Sequence, residues 1–383
     1  DDGQARSAVD AARAAADIAP LTLAGAQPVV SAPVQDVDHL LDAAGSLVEA
    51  SEQLVDVYAA AAGKGGGTKI FSDGVVNLAR VKALSADIED VDAQLVAAID
   101  SLQQVQGTFP GTGALAEARD TALAEAQPLH ETFAALTPAL PLLPSALGES
   151  KPTRYLVAIL NPGELRASGG APLSVLLLGF DKGRMTIMER GQTSYLIPYE
   201  NSLVRWEHVT QTPFPTADQI SRFVNSNVHP DFRKAGEEMT RGWAASGKPA
   251  VDGVITVDPV AIAAVLRETG PITTKEFGEI TGDNLAQKLL VDAYREFNSA
   301  TGERQSINDE IAGAMIDRLT AGDQLLSVVR ALASTAPGRH LQIHVQEKVL
   351  QGIVVEQGFG GALDEKAIDP IAVFTQNINA SKV

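Results

Sequence analysis

Along residues 1–150 the apolar positions recur at helical spacing. Val81, Leu84, Ile88, Val91, Leu95, Ala98, Leu102 and Val105 alternate steps of three and four, which keeps one face of a helix apolar. A second stripe runs Leu40, Ala44, Leu47, Ser51, Leu54, Tyr58 and Ala61, and a shorter third runs Ala118, Ala122, Ala126, Leu129, Phe133 and Leu136. The glycine-rich stretches 63–68 and 107–113 between the stripes read as loops that reverse helical hairpins. A helix over 75–106 would be roughly 48 Å long at ~1.5 Å per residue. That predicts an elongated helical bundle or coiled-coil stalk, ended by Pro138, Pro141, Pro144 and Pro152.

From Arg154 the pattern changes. Tyr155–Leu160 is a continuous apolar run, as in a strand buried on both faces. Ser174–Phe180 and Met185–Glu189 flank a turn from Asp181 to Arg184, a hairpin in which Gly183 supplies the positive φ. Val251–Val257 is a further buried strand. Asp258 and Pro259 follow it as an N-cap and a proline at the first helical position, and Gly270-Pro271 ends the helix. Further helices are expected near 216–227, 233–245, 283–297, 305–320 and 322–335, with a short strand at His340–Val345. The organisation that follows is an α-helical, alanine-rich, acidic bundle or stalk over 1–150 and an α/β domain over 151–383, a mixed sheet covered by helices.

Composition sharpens this division. The 383 residues carry 48 acidic and 30 basic side chains, a net of −18. Residues 1–150 hold 21 of the acidic and 7 of the basic ones, a net of −14. Such a balance excludes a nucleic-acid binder, which needs a basic footprint to displace counterions from phosphates. With no cysteine there is no disulfide, thiolate nucleophile or cysteine metal site. No run approaches the ~20 apolar residues of a membrane-spanning helix. The chain opens on Asp1-Asp2 and closes after Phe374 without a turn or cap, so the natural protein is expected to continue in both directions, with a membrane segment or leader removed.

Several chemistries fail on spacing. Residues 63–68 lack the order of a phosphate loop, and 358–361 lack the strand–helix context of a dinucleotide fingerprint. No G-x-S-x-G elbow exists, and His340 and His344 lie in a strand-like segment rather than on one helical face.

The segment Asn161–Gly170 stands apart. It follows a buried strand directly, where open α/β sheets place ligands. Gly169 and Gly170 allow backbone N–H groups to converge on an anion, and Arg166 offers a rigid fork of donors for phosphate or carboxylate. Asn161, Glu164 and Ser168 belong to the same candidate site, and Arg190 ends the hairpin strand nearby. Equally, Glu164 and Arg166 pair with neighbours and the glycines only turn the chain. A second cluster runs from Ser226 to Arg233, including Asn227 and Asp231. Asp231 and Asp252 offer carboxylate oxygens to a hard cation such as Mg²⁺, which needs one or two when substrate phosphates supply the rest. Asp231 suits a helix cap as well.

Arg154–Asn161, Glu164-Leu-Arg166 with Gly169-Gly170, Pro230-Asp-Phe232 and Asp252–Pro259 together resemble the domain-of-unknown-function family 4012. Thr269-Gly-Pro271, Asp283-Asn284 and Asn379–Lys382 continue the likeness. That family comprises extracytoplasmic bacterial proteins, common in actinobacteria and anchored by an N-terminal transmembrane helix. The chain departs from it at Ala171-Pro172, where an aromatic is usual, and at Arg233, where proline is usual. The arrangement is also distantly similar to the LytR-CpsA-Psr enzymes, which transfer glycan polymers from a polyprenyl-pyrophosphate carrier to the cell wall. By that resemblance Arg166 and Arg190 would clamp a pyrophosphate while Asp231 or Asp252 held Mg²⁺. Arg166 and Asp231 would then carry the chemistry, and Asn161, Glu164, Ser168, Gly169, Gly170, Arg190, Asn227 and Arg233 would line the substrate. The expectation is an envelope protein that binds, and as an enzyme would transfer, a lipid-linked saccharide. The alternative is a non-catalytic envelope scaffold that binds partner proteins through its stalk.

Overall fold

The computed structural model describes residues 2–16, 31–61, 69–108, 110, 112–197, 222–275, 277–296, 310–311, 313–314, 325–363, 371 and 373–375. They fall into two compact units, one of residues 1–70 with 79–141 and one of residues 71–78 with 142–383.

The first unit holds α1 (Asp2–Ala16), α2 (Ser31–Ala61), α3 (Leu78–Gln104) and α4 (Gly113–Leu136). On α3 the expected stripe is the buried one, with Val81, Val91, Leu95, Ala98 and Leu102 nearly inaccessible to solvent. Ala50 of α2 packs with Val91 and Leu95, and Leu47, Val57 and Phe133 close this small core. The seam of α2 is rotated from the expected one. Ala43 and Ala50 are buried, whereas Tyr58 is 52% exposed and Ser51 lies in solvent. The cause is polar: Asp36, one heptad before Ala43, is buried because its carboxylate accepts the backbone N–H groups of Gln106 and Gly107 at 2.8 and 2.9 Å. A search for apolar residues passes over such a position. α1 lies along α2 through the pairs Arg6–Glu52 and Arg13–Asp42. The glycine stretch 63–68 lies outside the described residues.

The second unit is built on a seven-stranded mixed sheet. Its strands are β1 (Phe71–Ser72), β2 (Val75–Val76), β3 (Thr153–Arg166), β4 (Gly169–Asp181), β5 (Arg184–Gln192), β6 (Gly253–Val257) and β9 (Leu341–Val345), in the order β1-β2-β5-β4-β3-β6-β9. β3 and β6 pair in parallel, Tyr155 opposite Gly253 and Ile159 opposite Val257, and the other pairs are antiparallel. A separate two-stranded ribbon joins β7 (Ile272–Thr274) to β8 (Gly278–Ile280).

Both faces of the sheet are covered, which is why β3 reads as an unbroken apolar run. On one face Leu156, Ala158, Val175 and Val254 pack with Phe232, Met239 and Trp243 of α5 (Phe232–Ala245). On the other, Ile159 packs with Ile262 and Leu266 of α6 (Pro259–Thr269), and the ribbon's Ile272 and Ile280 join them. α6 starts and stops as its sequence dictates: Asp258 accepts from the N–H groups of Val260 and Ala261, and Gly270 takes φ 86°. A helical run follows over 285–296, with a π-turn at Lys288–Asp292. α7 (Leu325–Ala333) lays Val328 and Ala331 on Val265, and α8 (Lys348–Glu356) follows β9.

The segment 161–170 continues the sheet, since β3 runs on to Arg166 and β4 begins at Gly169. Of the helix expected at 216–227, residues 223–225 form a single 3₁₀ turn, and 216–221 lie outside the described residues. Most of 305–320 lies outside them too. Among the described residues, no helix is long and apolar enough to cross a membrane.

Candidate functional site

β3 and β4 form a hairpin whose tip, Ala167-Ser168, turns back into the protein. Two register shifts, at Ile159/Leu160 and Asn161/Leu165, bend it. The paired glycines serve this geometry. Gly169 takes φ 106°, a region that disfavours any side chain. A Cβ on Gly170 would sit 2.2 Å from the carbonyl of Asn161. Both pair within the ladder, Gly169 with Arg166 and Gly170 with Leu165. They are in strand rather than in the anion nest that the sequence allows.

The tip is locked by polar contacts. Ser168 is fully buried; its N–H donates to the Asn227 carbonyl at 3.3 Å and its hydroxyl to the His229 carbonyl at 2.5 Å. Its own carbonyl accepts from Gln342 Nε2 at 3.2 Å. Asn227 Nδ2 donates to the Gly170 carbonyl at 2.7 Å, and its buried Oδ1 has no hydrogen-bond partner among the described residues.

Arg166 is buried at 9% exposure and directed inward. Its Nε and Nη2 donate to Asn225 Oδ1 at 3.2 and 3.0 Å, and its Nη1 donates to the carbonyls of Glu164 and Leu165. Burial pushes the guanidinium below the usual arginine range, with Glu164 pulling the other way. This is a staple between the hairpin and the 222–227 turn. Asn161 folds its side chain back on the N–H of Gly163 at 2.9 Å. Arg190 lies opposite Leu176, seven positions along β4 from Gly169, roughly 23 Å at ~3.3 Å per residue. The structure does not bring Arg190 to Arg166.

The two candidate metal carboxylates separate as well. Asp231 caps α5, accepting from the N–H of Arg233 at 2.9 Å, and pairs with the Arg233 guanidinium at 2.5 Å. Burial raises its pKa, but the hydrogen bonds and charge of Arg233 outweigh burial and hold it below the usual range. Asp252 stands before β6, at the opposite end of the β3–β6 pair from Asn161, where it accepts the Arg154 N–H at 2.8 Å. Among the described residues no group of three His, Cys, Asp or Glu side chains gathers to hold a metal ion. Asp231 and Asp252 do not form a joint carboxylate pair for a Mg²⁺, and Asp231 is already engaged by Arg233.

The sequence reading missed Arg339. This residue precedes β9 in the left-handed region, φ 62°, which costs a side-chain-bearing residue about 1–2 kcal/mol. Its Nη2 donates to the Pro230 carbonyl, to Gln342 Oε1 at 3.3 Å and, at 3.5 Å, to Ser168 Oγ. Its Nε is buried and has no hydrogen-bond partner among the described residues. Burial pushes this guanidinium down in pKa, while Asp231 acts in the opposite direction. Arg233 pairs with Asp231 while Arg339 only feels its charge, so two guanidiniums stand near one carboxylate beside the N-terminus of α5. The only sequence signal was the Pro337-Gly338 turn, which sets Arg339 at the entrance of a strand.

Residues 150–294 match the model of DUF4012, a protein family of unknown function. The DUF4012 segment carries the hairpin, Asn225–Arg233 and α6, and Arg339 lies beyond it. No curated protein matches the chain in sequence. Among solved structures, the transcriptional regulator yvhJ from Bacillus subtilis is similar at 15% identity over 54% of this chain and 76% of that one, with a TM-score of 0.29. Protein gbs0355 from Streptococcus agalactiae gives 15% identity over 56% and 75%, with a TM-score of 0.34. B. subtilis TagV gives 16% over 55% and 80%, with a TM-score of 0.28.

Proposed function

We propose that this is an extracytoplasmic cell-envelope protein whose α/β unit binds a phosphate-linked glycan of the polyprenyl-pyrophosphate type. The anion-contacting group is Arg339 rather than Arg166. One observation carries the reading: a half-buried guanidinium, held in a costly backbone conformation, keeps a buried Nε–H without an acceptor among the described residues. A buried donor without a partner costs about 1–3 kcal/mol, and a phosphate oxygen would satisfy it with a charge-assisted hydrogen bond. The envelope setting is taken from the resemblance of those motifs to the DUF4012 family, whose model matches residues 150–294. Transfer of the glycan would require an acceptor hydroxyl to attack the glycan-bearing phosphorus and lose its proton as the bridging P–O bond breaks and polyprenyl phosphate leaves, with the positive charge offsetting the charge on the leaving oxygen.

Calorimetric titration with geranyl pyrophosphate, and with the same lipid carrying N-acetylglucosamine, tests this. Arg339→Gln is expected to lose tenfold or more in affinity while its melting curve stays cooperative. Equal affinity of the variant and the parent overturns the reading.

A second reading, partner binding by the helical unit as an envelope scaffold, is favoured by an open groove of about 670 Å³ lined by Leu47, Ala118, Ala122, Ala126 and Leu129. Leu129 is 46% exposed there. Under this reading Ala118→Lys abolishes function in cells and Arg339→Gln does not.

A further inference from the structure

The guanidinium of Arg339 carries one contact that hydrogen bonding does not explain. The ring of Phe374, 35 residues later in the chain, lies under it, with Cζ 5.4 Å from the ring centroid. The neighbours of Phe374 are in solvent: Ile371 is 87% and Val373 88% exposed. Phe374 itself is half-buried. General hydrophobic burial of the segment does not account for this, since its two aliphatic residues gain nothing from it. The ring is placed for the cation.

We infer that Phe374 is a positioning residue for the anion site, holding the plane of Arg339 so that its Nε–H edge faces a phosphate or pyrophosphate oxygen. An aromatic ring engages the face of a guanidinium, whereas anions are bound in its plane. The two contacts are therefore compatible. Nη2 is already anchored by the Pro230 carbonyl and Gln342, so a second contact from the ring at the Cζ end restricts the remaining rotation of the group. Lost rotamer freedom is then spent before the ligand arrives rather than on binding. The site so built extends past the DUF4012 segment, drawing on Ser168 and Asn227 within it and on Arg339, Gln342 and Phe374 beyond it. This inference rests on the anion-binding reading above.

The test uses the full chain with inorganic pyrophosphate and geranyl pyrophosphate as probes. Phe374→Leu keeps an apolar side chain and removes the π face; it is expected to weaken both probes roughly three- to tenfold. Phe374→Trp is expected to restore or exceed the parental affinity, because indole is the better cation–π partner. A structural role alone would not give the order Trp, Phe, Leu at unchanged melting temperature. If Arg339→Gln abolishes binding while Phe374→Leu binds as the parent does, the positioning role fails and the site stands. If Arg339→Gln leaves binding intact, the anion-binding reading fails, and the inference with it.

Discussion

Asn225 Oδ1 accepts from both Nε and Nη2 of Arg166, tying the hairpin tip to a turn 59 residues later in the chain. Replacing that acceptor strands a buried charged donor. Asn225→Leu should therefore destabilise the fold by about 2–3 kcal/mol, read as a lower midpoint in urea denaturation followed by circular dichroism. Arg166→Gln should behave similarly. A variant of full stability that no longer binds a pyrophosphate probe would instead return Arg166 to the ligand site.

The twin glycines separate by their surroundings. At Gly170 a methyl group meets the backbone of Asn161 at 2.2 Å, and neither strand can retreat within the ladder. Gly170→Ala is expected to cost at least about 3 kcal/mol, or to yield no soluble protein. Gly191, on β5, has nothing within 4 Å of the equivalent position. Gly191→Ala should stay within about 0.5 kcal/mol of the parent.

Two histidines make the second unit acid-sensitive. His344 is 5% exposed, its Nδ1 has no hydrogen-bond partner among the described residues, and burial lowers its pKa. His229 is lowered too, first by burial and then by Lys234, while its Nδ1 accepts the Asp231 N–H at 2.9 Å. A depressed histidine binds fewer protons folded than unfolded. The stability is thus intact above the unfolded value of about 6.5 and declines as pH falls through the folded values. Each such group contributes a slope approaching about 1.4 kcal/mol per pH unit. Stability measured from pH 7.5 to 5 should fall less steeply in His344→Gln than in the parent, and an identical slope would exclude His344 as a source.

Asp258 has two tasks. One oxygen caps α6 and the other meets His340 Nδ1 at 2.7 Å. Asp258→Ala removes both and should cost about 1–2 kcal/mol from the cap alone. Asp258→Asn keeps an acceptor for the cap and should fall between parent and alanine variant in guanidinium denaturation.

The elements were legible where a local rule governed them. The sequence of α6 announces its cap, its first proline and its terminal glycine, and the β4–β5 turn shows Gly183 at φ 79° beside Lys182 at φ 50°. The β3–β4 hairpin is not visible in the sequence because Pro162 and Gly163 interrupt the strand pattern, yet the register shift between Asn161 and Leu165 absorbs them within β3. The site was legible only in its parts. Two segments mark Arg166, Ser168, Asn227 and Asp231 as candidates, but the side chain that accepts from Arg166 lies 59 positions away in Asn225. Beyond the Pro337-Gly338 turn Arg339 carries no local mark, because its role is set by Pro230, Ser168 and Gln342, which are brought around it by the fold. Asp36 escaped for the same reason, as a carboxylate buried for the sake of two distant N–H groups.

The ribbon β1–β2 gives the division of the chain a practical edge. It leaves the helical unit at residue 71, hydrogen-bonds to the outer side of β5 through Val76 N–H to the Gly183 carbonyl and Met185 N–H to the Gly74 carbonyl, both at 2.8 Å, and returns to α3. Gly183 is also fixed by this visitor, since a side chain there would lie 2.2 Å from the Val76 carbonyl oxygen. A fragment cut at residue 150 would strip the sheet of its border and present bare backbone to any neighbouring molecule, a recipe for clumping. An excised α/β piece should stay monodisperse only when residues 71–78 are grafted back, tethered or supplied as a peptide.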